Sequence, residues 1–262
     1  MTALPPGGHP TDDHHCTGGT GRTAQFLKAV GDQIGHASVT PAALARAVVS
    51  VLPVDAAGLS TLVDVLRTPL GASSDDAAEA EVFQTSLGEG PCLDAAEAQA
   101  VIVADLDEMA ARWSLYAEEL MSRTPYRATA SIPLRTPDRA VFAALDLYST
   151  SPRLRDRLDL AEVRDVAVAV AALLSTCLDQ VQERESREAR PNWYRAVAGR
   201  RHDVWVAIGM VMASRAGRRR DALSLLRTHA HTLNRSLDEV ANALVHGRLS
   251  LGDLPSHGSD RR

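Results

Sequence analysis

Seven apolar residues, Leu160, Val163, Ala167, Val170, Leu174, Cys177 and Val181, recur at alternating steps of three and four. That spacing places them on one stripe of a helix. It fits an a/d seam between two helices, and it fits equally a helix packed on its own sheet. The seam reading predicts a homodimer through residues 160–181. Upstream, a short amphipathic helix is expected from about Thr23. The run TPAALARAVVSVL supplies Thr40 as N-cap, Pro41 at the first helical position, and Leu44, Val48 and Val51 on one face. AAGLSTLVDV and AEAEVFQT read as short β-like runs with the polar segment RTPLGASSDD as a loop between them. ATASIPLRTPDRAVFAALDLYST reads as two strands joined at Pro137 and Asp138, residues suited to a turn. Tight strand turns favour antiparallel pairing, so residues 23–158 are expected to form an α+β domain.

The stripe belongs to a helical connector over 159–191, in which QERESREARP runs charged to Pro191, where a helix should end or kink. Residues 192–250 hold three further helical segments, expected to form a small bundle. Ser236 and Glu239 have the spacing of a capping box, Asn234 suits the end of the preceding helix, and Gly217 is placed to end the first in a left-handed conformation. Residues 1–22 and 251–262 are expected to be disordered tails; the first is rich in Gly, Pro, Thr, Asp and His without periodicity.

Between a strand-like run and a helix lies SLGEGPCLDA, residues 86–95. Its Cys92 lacks the partners of a nucleophile, because no histidine lies within fifty residues on either side and no triad or oxyanion-hole pattern is recognisable. Gly88 and Gly90 allow a tight backbone path, Pro91 starts a helix and Asp94 falls in its first turn. A structural role for this loop follows, with a place at a pocket rim as the alternative.

Charge changes the picture of the C-terminal part. The chain has a formal net charge of -5, yet residues 189–262 hold 13 arginines against six acidic residues, a net of +7, and the remainder is -12. An asymmetry of this kind points to an anionic partner for the basic segment, most often nucleic acid. Cys16, Cys92 and Cys177 are too far apart for a disulfide framework or a zinc knuckle, and His14, His15 and Cys16 are adjacent, without ligand spacing, so no metal site is expected. No apolar run approaches the length of a membrane span, and the N-terminal residues lack a signal-peptide pattern, so a cytoplasmic protein with no membrane partner is expected.

Arg201, Val204, Ala207, Gly209, Val211, Met212, Ala222, Leu223, Leu226, Arg227, Ala230, Asn234, Leu237, Val240 and Ala241 follow in the order of a known pattern. It resembles that of the ANTAR domain, a three-helix RNA-binding module of transcription antiterminators. The segment Gly88 to Asp94, the Val103 to Leu106 run, Trp113 and the hairpin end at Leu145 to Ser149 resemble the GAF domain of actinobacterial GAF–ANTAR regulators. Ala143, Asp146, Arg218, Arg219 and Pro191 depart from the pattern. Asp146, where Asn is common, bears on the pocket floor.

The resemblance implies a GAF-type antiparallel sheet flanked by helices, a coiled-coil-like connector and a C-terminal ANTAR bundle. It implies a signal-responsive regulator, not an enzyme, whose dimeric ANTAR domains bind RNA stem-loops and thereby favour antitermination, reaching the RNA polymerase elongation complex indirectly. By resemblance, RNA binding falls to Arg201, Ala207, Gly209, Arg227 and Asn234, to which charge adds Arg200, Arg218, Arg219 and Arg220. Cys92, Trp113 and Tyr116 are the expected contacts of a small-molecule ligand in the GAF domain, whose identity the sequence does not give; no cofactor is named. A thiol-dependent enzyme of sulfoxide reductase type and a DNA-binding transcription factor are the alternatives.

Overall fold

A computed structural model of the chain describes residues 19–35, 38–63, 66–183, 190–215 and 217–255. The elements run α1 (Gly19–Ile34), α2 (Pro41–Val51), β1 (Ala56–Val63), β2 (Leu66–Ala72), α3 (Asp75–Leu87), α4 (Pro91–Ala98), β3 (Ile102–Asp105), α5 (Leu106–Arg112), α6 (Ser114–Arg123), β4 (Ala128–Arg135), β5 (Val141–Ser149), α7 (Leu154–Arg157), α8 (Leu160–Gln182), α9 (Asn192–Arg215), α10 (Arg219–Thr232) and α11 (Leu237–Val245). The five strands form one antiparallel sheet in the order β2-β1-β5-β4-β3.

Strand periodicity divides the sheet's two faces by chemistry. Ala57 and Leu59 of β1, Ala130, Ile132 and Leu134 of β4, and Leu145 and Leu147 of β5 join α1, α2 and α8 in an apolar core. The alternate residues point the other way, towards α3 to α6, and include Gly58, Ser60, Thr129, Ser131, Asp146 and Tyr148; the five that carry a side chain are all buried, Tyr148 in the apolar cluster of that layer. Register aligns three of them: Asp146 pairs with Gly58 on one side and with Ser131 on the other. A polar row is thus built into the covered inner face.

Several expectations hold at the level of single groups. Thr40 accepts from the Ala43 amide at 3.2 Å, and Ser236 accepts from the Glu239 amide at 3.2 Å. Asn234 sits at φ 51° after α10, and the β4–β5 turn falls at Pro137 and Asp138.

Others are corrected. AEAEVFQT is not a strand but the body of α3, begun by Ser74, whose hydroxyl accepts from the Ala77 amide at 3.2 Å, with Asp75 and Asp76 in the first turn. The supposed loop before it is β2 as far as Ala72, held by β1, and its end is the cap and first turn of α3. Helix α1 begins at Gly19, inside the expected tail, and Arg22 ties it to Glu162 and to the Val51 carbonyl, both at 3.0 Å. Residues 251–255 are likewise part of the fold: Leu254 is buried, and Arg215 donates to the carbonyls of Leu251, Leu254 and Pro255. Gly217 is not left-handed. Residues 1–18, with His14, His15 and Cys16, lie outside the described residues, as do 256–262.

The stripe on α8 is packing within the chain. Val163, Val170 and Leu174 belong to the core shared with α1, α2 and the sheet, and Cys177 Sγ lies 3.5 Å from the Val39 carbonyl. The residues of the stripe thus fill the chain's own core, while Val168 of the same helix is 72% exposed. Among the described residues, no helix is long and apolar enough to cross a membrane.

The C-terminal helices α9, α10 and α11 close on a core of Val204, Ala207, Ile208, Leu223, Leu226, Val240 and Leu244. Leu66 of β2, 1% exposed, is a member of the same core. The bundle is therefore seated on the sheet's outer strand and on α3.

Candidate functional site

Arg67 rises from β2 into the layer between the sheet and α3, and no part of its side chain is exposed. A guanidinium so placed must find partners for every donor. Nη2 donates to Glu81 and to Asp146, each at 2.5 Å; Nη1 donates to the Glu81 carbonyl at 2.7 Å and to the Thr85 hydroxyl at 3.4 Å; Nε donates to Cys92 Sγ at 3.0 Å. The two carboxylates are satisfied in turn. Tyr148 donates to Glu81 at 2.7 Å, Ser131 donates to Asp146, and Gln84 Nε2 donates to Asp146 at 3.2 Å. Gln84 also accepts the Cys92 amide at 2.9 Å.

Two glycines make the room. A Cβ on Gly58 would fall 2.3 Å from Glu81 Oε1, and one on Gly90 would fall 2.7 Å from Gln84 Oε1. Gly90 is also at φ 132°, a conformation other residues avoid. In the loop read from sequence, the glycines and Pro91 thus do the work expected of them, and the Cys92 amide is fixed by the buried network.

Burial sets the charge states. It raises the Glu81 carboxyl to about 8, with Asp146 adding to the effect against the attraction of Arg67. Near neutrality the Glu81 carboxyl therefore favours its protonated form. Burial also raises the Cys92 thiol to about 12 in spite of Arg67. A thiol so held is not a nucleophile at neutral pH.

Cys92 and Tyr116 are brought to this cluster, Tyr116 lying close enough to feel Asp146 and Glu81. Trp113 is not part of it; its indole N–H donates to Asp94 at 3.2 Å, at the α5–α6 junction. All three are buried. Of the main members, Asp146 was visible in the sequence only as a departure from a pattern, and Arg67, Glu81 and Gln84 were missed. The available signal was Glu81, Gln84 and Thr85, polar residues at steps of three and four among apolar ones, legible only once 75–87 is read as a helix.

The residues expected to bind RNA divide into two groups. Arg218, Arg219 and Arg220 are exposed at the corner between α9 and α10, where Asp221 accepts the Arg218 amide at 3.3 Å and Arg219 lies over the Trp205 ring at 5.7 Å. Gly209 is exposed on α9 and faces open space, so it serves no close helix packing. Asn234 is exposed as well, at the rim of a cleft of about 480 Å³ between α3, α6 and the bundle. Arg200 lies in α9; its side chain is outside the described atoms.

The second group is covered. Ala207 is in the bundle core, and Arg201 is 7% exposed, paired with Asp238 at 3.2 Å beside a cavity of about 310 Å³ shared with β2 and α3. Arg227 Nε donates to the Thr85 carbonyl at 3.0 Å, and burial, with Arg201 adding repulsion, lowers its guanidinium to about 10. Among the described residues there is no group of three or more His, Cys, Asp or Glu set to hold a metal.

The sequence profile of the GAF domain matches residues 38–179. Solved structures similar in fold include the GAF domain of a phosphoenolpyruvate-protein phosphotransferase from Coxiella burnetii, at 14% identity and a TM-score of 0.44, covering 61% of this chain and 96% of that one. The GAF domain of the corresponding Acinetobacter protein is similar at 12% identity and a TM-score of 0.43, covering 60% and 96%. No curated protein matches the chain.

Proposed function

Since the chain belongs to the GAF domain family, we propose that it is a signal-responsive regulator whose C-terminal bundle binds RNA stem-loops and so favours antitermination. The observation that carries this reading is the placing of Arg218, Arg219 and Arg220. Three consecutive cations stand exposed at one corner of a helical bundle whose sequence follows the ANTAR pattern. Exposed arginines there present their charge to solvent, where phosphates can meet it, and stem-loops offer unstacked bases for selective contact.

In this reading the GAF part senses and has no catalytic duty, in keeping with the protonated thiol of Cys92. Paired stem-loops require two bundles, so the active species is a homodimer joined elsewhere than through the buried stripe of α8. Its place of action is the cytoplasm, beside the elongating polymerase.

A competition gel tests the reading. The full chain is mixed with a labelled RNA carrying two stem-loops and challenged with unlabelled RNA or with duplex DNA of the same sequence. RNA is expected to compete and DNA to compete poorly. A preference for the duplex would replace RNA binding by DNA binding.

A further inference from the structure

Two arginines on which RNA binding depends by resemblance, Arg201 and Arg227, face the GAF domain rather than solvent. Arg227 is held by the last turn of α3. Its Nε bonds to the Thr85 carbonyl at 3.0 Å, and its guanidinium fills the space over Gly88, where a Cβ would fall 2.5 Å from Nη1. Next to it the Leu237 amide, one of the unsatisfied donors of the first turn of α11, donates to the Ser86 hydroxyl at 3.3 Å. Leu66, from the same domain, completes the bundle's apolar core.

This contact is secure in shape and poor in charge. Among the described residues Arg227 Nη2 is buried without a hydrogen-bond partner, and the acceptor that its Nε meets is a neutral carbonyl. A phosphate would serve that guanidinium better than a carbonyl does. The turn itself is fixed from beneath, because Arg67 holds both the Glu81 carbonyl and the Thr85 hydroxyl. A change in the buried cluster therefore acts on the turn that holds Arg227.

The geometry points to an autoinhibitory clasp: residues 85–88 of the GAF domain cover Arg227 and keep the bundle from RNA until the Arg67 cluster lets the turn move. This rests on the RNA-binding reading. RNA and the α3 turn compete for one guanidinium, so the clasped chain binds RNA more weakly than the opened one.

The test compares the full-length wild type with Gly88→Asn and with Ser86→Arg. Asparagine tolerates the left-handed backbone of Gly88, at φ 74°, and puts its side chain where the guanidinium lies. Ser86 is only half-buried, so an arginine there sets charge against charge without entering the core. Hydrogen exchange over residues 223–237 reports opening, and a fluorescent RNA with two stem-loops reports affinity. Faster exchange and RNA binding at least tenfold tighter in either variant are expected. Faster exchange with unchanged affinity, while the wild type binds RNA, would overturn the clasp and leave RNA binding intact. Unchanged exchange in both variants would also overturn it. Failure of the wild type and of both opened variants to bind RNA would remove the RNA reading itself, and the clasp with it.

Discussion

Arg67 and Arg227 meet at Thr85: the first donates to its hydroxyl at 3.4 Å, the second to its carbonyl at 3.0 Å. One residue on the last turns of α3 thus joins the interior of the GAF domain to the C-terminal bundle. The consequences for stability and reactivity can be measured separately.

Removing Arg67 leaves Glu81 and Asp146 buried without their cation. Arg67→Met should destabilise the fold by about 3–5 kcal/mol. Arg67→Lys should recover only part of that, since an ammonium cannot replace the fork that reaches both carboxylates, the Glu81 carbonyl and Cys92. Urea unfolding of the two variants measures the difference; equal stability to the wild type would show that the cluster adds nothing.

Glu81 gives stability a pH dependence of known sign. Its carboxyl is raised to about 8 in the fold from an ordinary 4.5. Between these values the folded chain holds a proton that the unfolded chain has released, so this contribution is whole below pH 4.5, falls as pH rises, and is gone above 8. The slope contributed is at most about 1.4 kcal/mol per pH unit. Urea midpoints from pH 5 to 9 should fall in the wild type and flatten in Glu81→Gln.

Cys92, with its thiol at about 12 and no exposed surface, should resist iodoacetamide at pH 8 in the native chain and react once urea unfolds it. Mass spectrometry of the peptide containing Cys92 follows the labelling. Rapid native labelling would restore the reactive-thiol reading.

Gly58→Ala places a methyl against the buried Glu81 carboxyl group and should cost about 1–3 kcal/mol by overpacking. Val170→Glu with Leu174→Glu should unfold the GAF domain rather than release monomers, because both positions are sealed against the chain's own sheet. Circular dichroism in parallel with sedimentation separates these: a folded monomer would contradict the packing described.

The sequence carried the elements whose signals are local. Thr40 with Pro41, Ser236 with Glu239 and the β4–β5 turn need only neighbours within a few residues, and all stand where expected. The stripe of α8 was legible as a stripe but not as to what covers it, since sheet and partner helix ask for the same spacing. AEAEVFQT misled because its short alternation imitates a strand, while the deciding signal, Ser74 before Asp75 and Asp76, lies just upstream. The cluster was beyond reach because Arg67 meets its partners 14, 25 and 79 residues along the chain. Only sheet register brings Gly58, Ser131 and Asp146 into one row. Burial of Arg227 was invisible for a like reason, as its acceptor is 142 residues away.

If the bundle's exposed arginines meet RNA phosphates, binding must weaken with salt in proportion to those contacts. Affinity of the full chain for an RNA carrying two stem-loops is measured at several salt concentrations, for the wild type and for Arg218, Arg219 and Arg220 changed together to serine. Each lost phosphate contact in a single-stranded region should flatten the slope of log K against log salt by about 0.7, so three lost contacts should flatten it by about 2. A slope left unchanged in the triple variant would show these arginines to be a solvated face that meets no RNA phosphate.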